Sequence, residues 1–365
     1  MRGILMFIIA TCICSHTTAQ EAFFNKKLIP VASFGRSMAI GLSVTSDNRV
    51  FVAFPNCDGD GQYALIEEKN GKILPYPDKE WNTQGAYNTH FLRVQDLYAD
   101  ANDDLWVLDS KPASKRSIFG DSGKAEDGKF KLVKINTKTN KVEKIYLFED
   151  LDKSTSGLND VRVDTKRNLA YLSDPGQAAI VILDLASGKS RSILKRTSFT
   201  LADDIVLTYK GKEMRDKNGT PFSSHVNGIA LTKDFKYFYF KPINKEHLFR
   251  IESQYLANAS FPGKELESKV EDMGKVGITH GLAADDKGNI FLTNSTGFSI
   301  NYLSPDGSLH LLVKDSGLLW PDSLGIGSDG YLYFTCSQLQ RLPQWNNGSN
   351  QTAYPYTMYK VKLPK

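Results

Sequence analysis

Gly41-Leu-Ser-Val-Thr-Ser-Asp-Asn-Arg-Val-Phe-Val-Ala53 reads as an apolar alternation, a polar turn and a second, more aromatic alternation. The same pattern returns at Asp96, Asp160, Gly228, Gly281 and Ser323, so that successive copies start 55, 64, 68, 53 and 42 residues apart. That spacing suits one four-stranded sheet with variable loops, and the alternation is that of strands rather than of a helical repeat. Six such units around one axis predict an all-β fold, a six-bladed β-propeller of four-stranded antiparallel blades. Any site shared by the blades should then lie on the axis.

The chain has 365 residues, of which 41% are hydrophobic and 11% aromatic, enough for a substantial core. Length alone would allow two or three domains, but the repeat assigns residues 20–365 to one. Residues 1–19 carry Arg2, an apolar run from Ile4 to Ile13, and Thr17-Thr18-Ala19 before Gln20. This is the pattern of a cleaved secretory signal peptide, and it predicts a secreted protein, extracellular or periplasmic. A lipoprotein anchor at Cys12 or Cys14 is the rival, disfavoured by Thr11 and Ile13 before them. No later apolar run approaches the ~20 residues of a spanning helix, so no membrane insertion is expected. The formal net charge is +4 with both signs interspersed, and no basic stripe carries interleaved aromatics. Nucleic acid is therefore an unsuited partner.

Only Cys57 and Cys336 remain after cleavage, each following the second strand of a copy, in the first and the sixth repeats. Those blades are neighbours in a closed ring, so the pair is a disulfide candidate in an oxidising compartment, with two buried thiols as the alternative.

Third-strand candidates follow each copy at Tyr63–Glu67, Lys131–Ile135, Ala179–Leu183, Leu248–Ile251, Ile300–Leu303 and Met358–Val361. The first strand, Leu28–Phe34, lacks a neighbour in sequence, and the last has lost its own. Joining the N- and C-terminal strands in one blade closes the ring and removes two sheet edges. One short helical turn is expected, at Ser253–Leu256. The insertions 111–129, 195–225 and 338–351 exceed ordinary loop length and are candidate lids.

The innermost strand of a blade runs beside the central channel, so the residue just before each first alternation should sit at a channel mouth. Around the ring these are Ile40, Gln95, Asn159, Asn227, His280 and Asp322. Antiparallel pairing brings the ends of the second strands to the same face, adding Asn56, Asp109, Asp174, Lys241, Asn294 and Ser337. A polar mouth roofed by loops suits a small-molecule ligand. His280 and Asp322 are the pair with acid/base potential near neutral pH and are the candidate catalytic residues. Gln95, Asn159, Asn227, Asp174 and Asn294 are the candidate ligand-binding residues. No Gly-x-Ser-x-Gly elbow, phosphate loop or zinc spacing occurs. No cofactor is expected; were a metal to bind, Asn159, Asn227 and Asp322 would suit calcium.

Several stretches resemble the major royal jelly protein and Yellow family, in a bacterial-type form. They are Arg49-Val-Phe-Val-Ala-Phe-Pro55, Pro75-Tyr-Pro77 with Glu80-Trp-Asn82, Val94-Gln-Asp-Leu97 with Leu105-Trp-Val-Leu-Asp109, Leu158-Asn-Asp-Val-Arg-Val-Asp164, Ala170-Tyr-Leu-Ser-Asp174, Gly228-Ile-Ala-Leu231, and Leu319-Trp-Pro-Asp322 with Asp329-Gly-Tyr-Leu-Tyr-Phe334. The resemblance implies a secreted six-bladed propeller with a small ligand, aromatic or amine-bearing, at one channel mouth. The family includes proteins tied to dopachrome conversion, so a tautomerase-like isomerase is the first reading. The fold group also includes calcium-dependent gluconolactonases, whose ion is held by a Glu, an Asn and an Asp, with a further Asn assisting substrate. By repeat position Asn159 and Asn227 match the two Asn, while Ile40 and His280 stand where the carboxylates belong. A metal-dependent lactonase of that type therefore ranks second, and a non-enzymatic binding or storage module is the third reading.

Overall fold

The computed structural model describes residues 22–55, 63–113 and 126–365. The leader at 1–19, Asn56 and Cys57 lie outside the described residues, and so does the proposed disulfide; Cys336 is buried. No described helix is long and apolar enough to cross a membrane.

Six four-stranded antiparallel sheets form, one per copy. Blade 1 runs Leu42–Val44, Val50–Ala53, Leu65–Lys69 and Lys72–Pro75 from the axis outward, and blades 2 to 5 repeat that order. Blade 6 is composite: Pro321–Ile326, Tyr331–Cys336 and Thr357–Lys362 are completed on the outside by Ile29–Ser33 from the other end of the chain. Each first strand touches the first strand of the next blade, and that of blade 6 touches that of blade 1, so the ring closes.

The alternation that defines the copies drives this packing. Phe51 faces blade 2 while its neighbour Val52 faces blade 6, and both are fully buried. A buried cluster fills the interface between each pair of adjacent blades, for example Val107 against Leu65 and Tyr239 against Leu292. Because both faces of a blade are covered, the middle strands read as nearly continuous apolar runs such as Tyr237-Phe238-Tyr239-Phe240. Each fully buried Leu or Phe contributes roughly 1.5–3 kcal/mol.

The glycines at the head of three copies have a steric reason. A Cβ on Gly281 would stand 1.9 Å from the Asp322 carbonyl oxygen, and one on Gly228 2.2 Å from that of His280. Inner strands of adjacent blades meet there almost backbone to backbone. Helix is sparse, as expected: the predicted turn is Ser253–Ala257, and a second, Gly263–Glu267, was not foreseen. The insertion 195–225 carries the small hairpin Thr208–Tyr209 with Lys212–Glu213.

Candidate functional site

All six axial positions, Ile40, Gln95, Asn159, Asn227, His280 and Asp322, line one cavity of about 310 Å³ at one end of the channel. Their placement follows from blade construction. The His280 and Gly281 amides both donate to Thr293 Oγ1, the Asn159 amide donates to the Ser173 carbonyl, and Thr335 Oγ1 donates to the Ile40 carbonyl from the neighbouring blade. Gln95 Nε2 donates to Asn159 Oδ1 at 3.2 Å, and Asn159 Nδ2 donates to Asp160 Oδ1 at 2.7 Å. These amides are held in orientation before any ligand arrives.

Asp322 accepts from Ser337 Oγ at 2.9 Å. Burial, only partly offset by that hydrogen bond, pushes its carboxyl up to about 7. His280 is 2% exposed, and burial together with the nearby Lys241 ammonium holds its imidazole well below the usual range, so it is neutral. Neither His280 ring nitrogen has a partner among the described residues, both are closed to solvent, and His280 and Asp322 share the cavity without a hydrogen bond between them. The imidazole instead lies on Trp320.

Beneath the cavity the channel is plugged. Arg162 Nη1 pairs with Asp96 at 2.9 Å, and its Nη2 donates to the Leu282 carbonyl at 3.1 Å, tying blades 2, 3 and 5 across the axis. Asp160, buried beside this pair, has its carboxyl raised well above the ordinary range by burial and by Asp96.

Two candidate ligand-binding residues serve turns instead of the cavity wall. Asp174 accepts from the Gly157 and Gln177 amides, and Asn294 Oδ1 accepts from the Gly297 amide; neither lines the cavity. Among the other second-strand ends, Lys241 is fully buried and donates to the Pro242 and Lys245 carbonyls. Asp109 pairs with buried Lys131 at 2.8 Å and receives the Leu92 and Arg93 amides.

The sequence reading missed Arg93, Gly157, His225 and Trp320, which also line the cavity. Each lies two residues before an axial position, so one further period of the strand alternation points to them. The roof comes from the insertions read as candidate lids, though the sequence did not show which of their side chains meet. Phe222 from insertion 195–225 packs edge-on against Trp320 and against Trp345 of insertion 338–351. Insertion 111–129 reaches the wall with Pro112, and its residues 114–125 lie outside the described part.

The major royal jelly protein family model matches residues 93–365. The chain belongs to the major royal jelly protein family. No curated protein matches the sequence. Among solved structures, the fold is similar to a gluconolactonase from Xanthomonas campestris, at 11% identity and a TM-score of 0.56 over 92% of this chain and 89% of that one. It is also similar to a streptogramin B lyase, at 12% identity and 0.53 over 92% and 97%. Regucalcin from Agrobacterium tumefaciens, described as calcium-binding, aligns at 13% identity and 0.52 over 91% and 94%. At such identities the likeness shows the six-bladed propeller and nothing of its chemistry.

The cavity offers few donors to an ion of the gluconolactonase kind. Ile40 and His280 take the two carboxylate positions, Asn159 Oδ1 is already engaged by Gln95, and no cluster of three His, Cys, Asp or Glu suited to a metal exists among the described residues. The residues present do not fit a calcium site of that kind.

Proposed function

We propose that the protein is an exported propeller that holds a small ligand, aromatic or amine-bearing, in the cavity at one channel mouth, and that it moves a proton within that ligand. The observation that carries this reading is the meeting of all six axial positions at one cavity of about 310 Å³, in which buried Asp322 titrates at about 7 beside a neutral, unpartnered His280. A volume near 300 Å³ is at the small end for ligand sites and suits a single-ring molecule. Trp320 and Phe222 offer apolar faces, while Gln95, Asn159 and Asn227 fix orientation by hydrogen bonding.

In a tautomerase-like step, the Asp322 carboxylate takes a proton from one ligand atom and returns it to another as the π-electrons shift. The neutral His280, turning a ring nitrogen that is otherwise closed to solvent toward the ligand, holds the intervening oxygen or nitrogen. A carboxyl whose proton affinity matches neutral pH is the efficient catalyst for such a transfer. No oxidant, reductant or metal enters the balance. The lactonase reading is weaker because the carboxylates that would hold its ion are missing.

Calorimetric titration with a panel of biogenic amines, catechols and sugar lactones tests the reading. Binding of an amine or catechol at one site, with proton exchange into solvent deuterium followed by NMR, supports it. Binding of lactones alone, with their hydrolysis, would replace it by the lactonase.

A further inference from the structure

We infer that His225, two residues before the axial Asn227, is a specificity-determining hydrogen-bond donor of the cavity and reads an oxygen acceptor on the ligand. The inference rests on the proposed ligand-binding function of the same cavity.

The Ala202 backbone amide donates to His225 Nδ1 at 3.0 Å. An amide N–H can only donate, so Nδ1 must be the lone-pair nitrogen of the ring. In the neutral imidazole the proton therefore resides on Nε2. Protonating Nδ1 as well would set two donors face to face, which keeps the ring neutral. Burial and the Arg196 guanidinium lower its proton affinity in the same direction. Nε2 has no partner among the described residues and is not among the sealed-off polar atoms, so the N–H is left for whatever enters the cavity.

The ring is also held in place. Asn244, fully buried, accepts from the Ser224 amide through Oδ1 and donates through Nδ2 to the Ile205 and Phe222 carbonyls, at 2.8 to 2.9 Å. The insertion carrying His225 is thereby pinned at three points on either side of the cavity roof. A tautomer fixed by one backbone amide and a backbone fixed by a buried side chain together make a preorganised donor. Such a donor discriminates by penalty: a ligand with no oxygen opposite Nε2 leaves a desolvated N–H unpaired. His280 differs in having both nitrogens unpartnered and its tautomer free. The cavity thus combines one imidazole of fixed polarity with one that adapts.

The test compares dopamine with phenethylamine, which lacks the ring hydroxyls, on the full-length wild type, His225→Phe and His225→Gln. The wild type should bind dopamine about fivefold to tenfold more tightly, His225→Phe should lose that margin while binding phenethylamine at least as tightly as the wild type does, since no N–H is then left unpaired, and His225→Gln, which keeps an N–H donor, should recover part of the margin. Equal affinity of the wild type for the two probes would overturn the inference and leave the ligand-binding reading standing. Equal weakening of both probes by His225→Phe would show that the ring only shapes the roof. Binding of neither probe would remove the ligand-binding reading and the inference with it. Independently of any ligand, ¹⁵N-detected NMR should find neutral His225 protonated at Nε2, and protonation at Nδ1 would overturn the inference.

Discussion

The His280 imidazole lies stacked on the Trp320 indole, with ring centroids 4.0 Å apart and planes 27° from parallel. The indole covers one face of the buried imidazole, whose two ring nitrogens have no hydrogen-bond partner among the described residues and are closed to solvent. Asp322 is the second residue of the inner strand Pro321–Ile326, and Trp320 immediately precedes that strand. One short segment therefore positions both candidate catalytic groups.

Replacing each group while keeping its volume tests their roles. His280→Gln and Asp322→Asn should each lower turnover by about 100-fold or more, or abolish ligand binding. Both should stay folded, with unfolding free energies within about 2 kcal/mol of the parent in urea titrations. Unchanged activity in both variants would take the pair out of the mechanism.

Closure of the ring was legible because the period of two is written on both faces of every blade: Phe51 and Val52 point to different neighbours, and both are fully buried. The six axial residues were legible for the same reason, since the pleat fixes where the residue before a strand must lie. Asp174 and Asn294 misled because the turns after their strands leave backbone amides that need acceptors, and these side chains meet that need locally. The insertions were legible as candidate lids by their length, but the contact of Phe222 with Trp345 was not, because both sit in segments without periodicity, where only three-dimensional packing brings them together.

The tight approach of inner strands gives a second prediction. Gly281→Ala drives a methyl to within 1.9 Å of the Asp322 carbonyl oxygen, so the strand bearing Asp322 must shift. The expected cost is roughly 1–3 kcal/mol or more, with loss of ligand binding. Gly263→Ala, where no atom lies within 4 Å, serves as the control and should leave the urea midpoint unchanged or raised. Equal midpoints for the two variants would contradict the packing.

Calcium addition separates this cavity from that of a metal-dependent lactonase. A specific site filled at a hundredfold excess over its Kd would stabilise the fold by about 2.7 kcal/mol, seen as a rise in Tm of several degrees. With Ile40 and His280 in the carboxylate positions, millimolar calcium should leave Tm unchanged within a degree or so, about what its weak surface binding would give. A clear rise that Asp322→Asn removes would restore the lactonase.

Two buried groups titrate at about 7 from opposite sides, Asp322 raised and Lys241 lowered, each by burial first. An unfolded Asp titrates at about 4, so between about 4 and 7 the folded chain holds a proton that the unfolded chain has lost, and stability falls as pH rises through that window. Asp160, raised by the same cause, adds to this limb. An unfolded Lys titrates at about 10.4, so between about 7 and 10 the folded chain has already released the Lys241 proton, and stability rises with pH. These groups together should produce a shallow minimum of unfolding free energy near pH 7, on the order of a few kcal/mol deep. Asp322→Asn should flatten its acid limb and Lys241→Met its alkaline limb, measured by urea denaturation from pH 4.5 to 9.5. Parent-like slopes on both limbs in both variants would show that these two side chains are not ionising inside the fold.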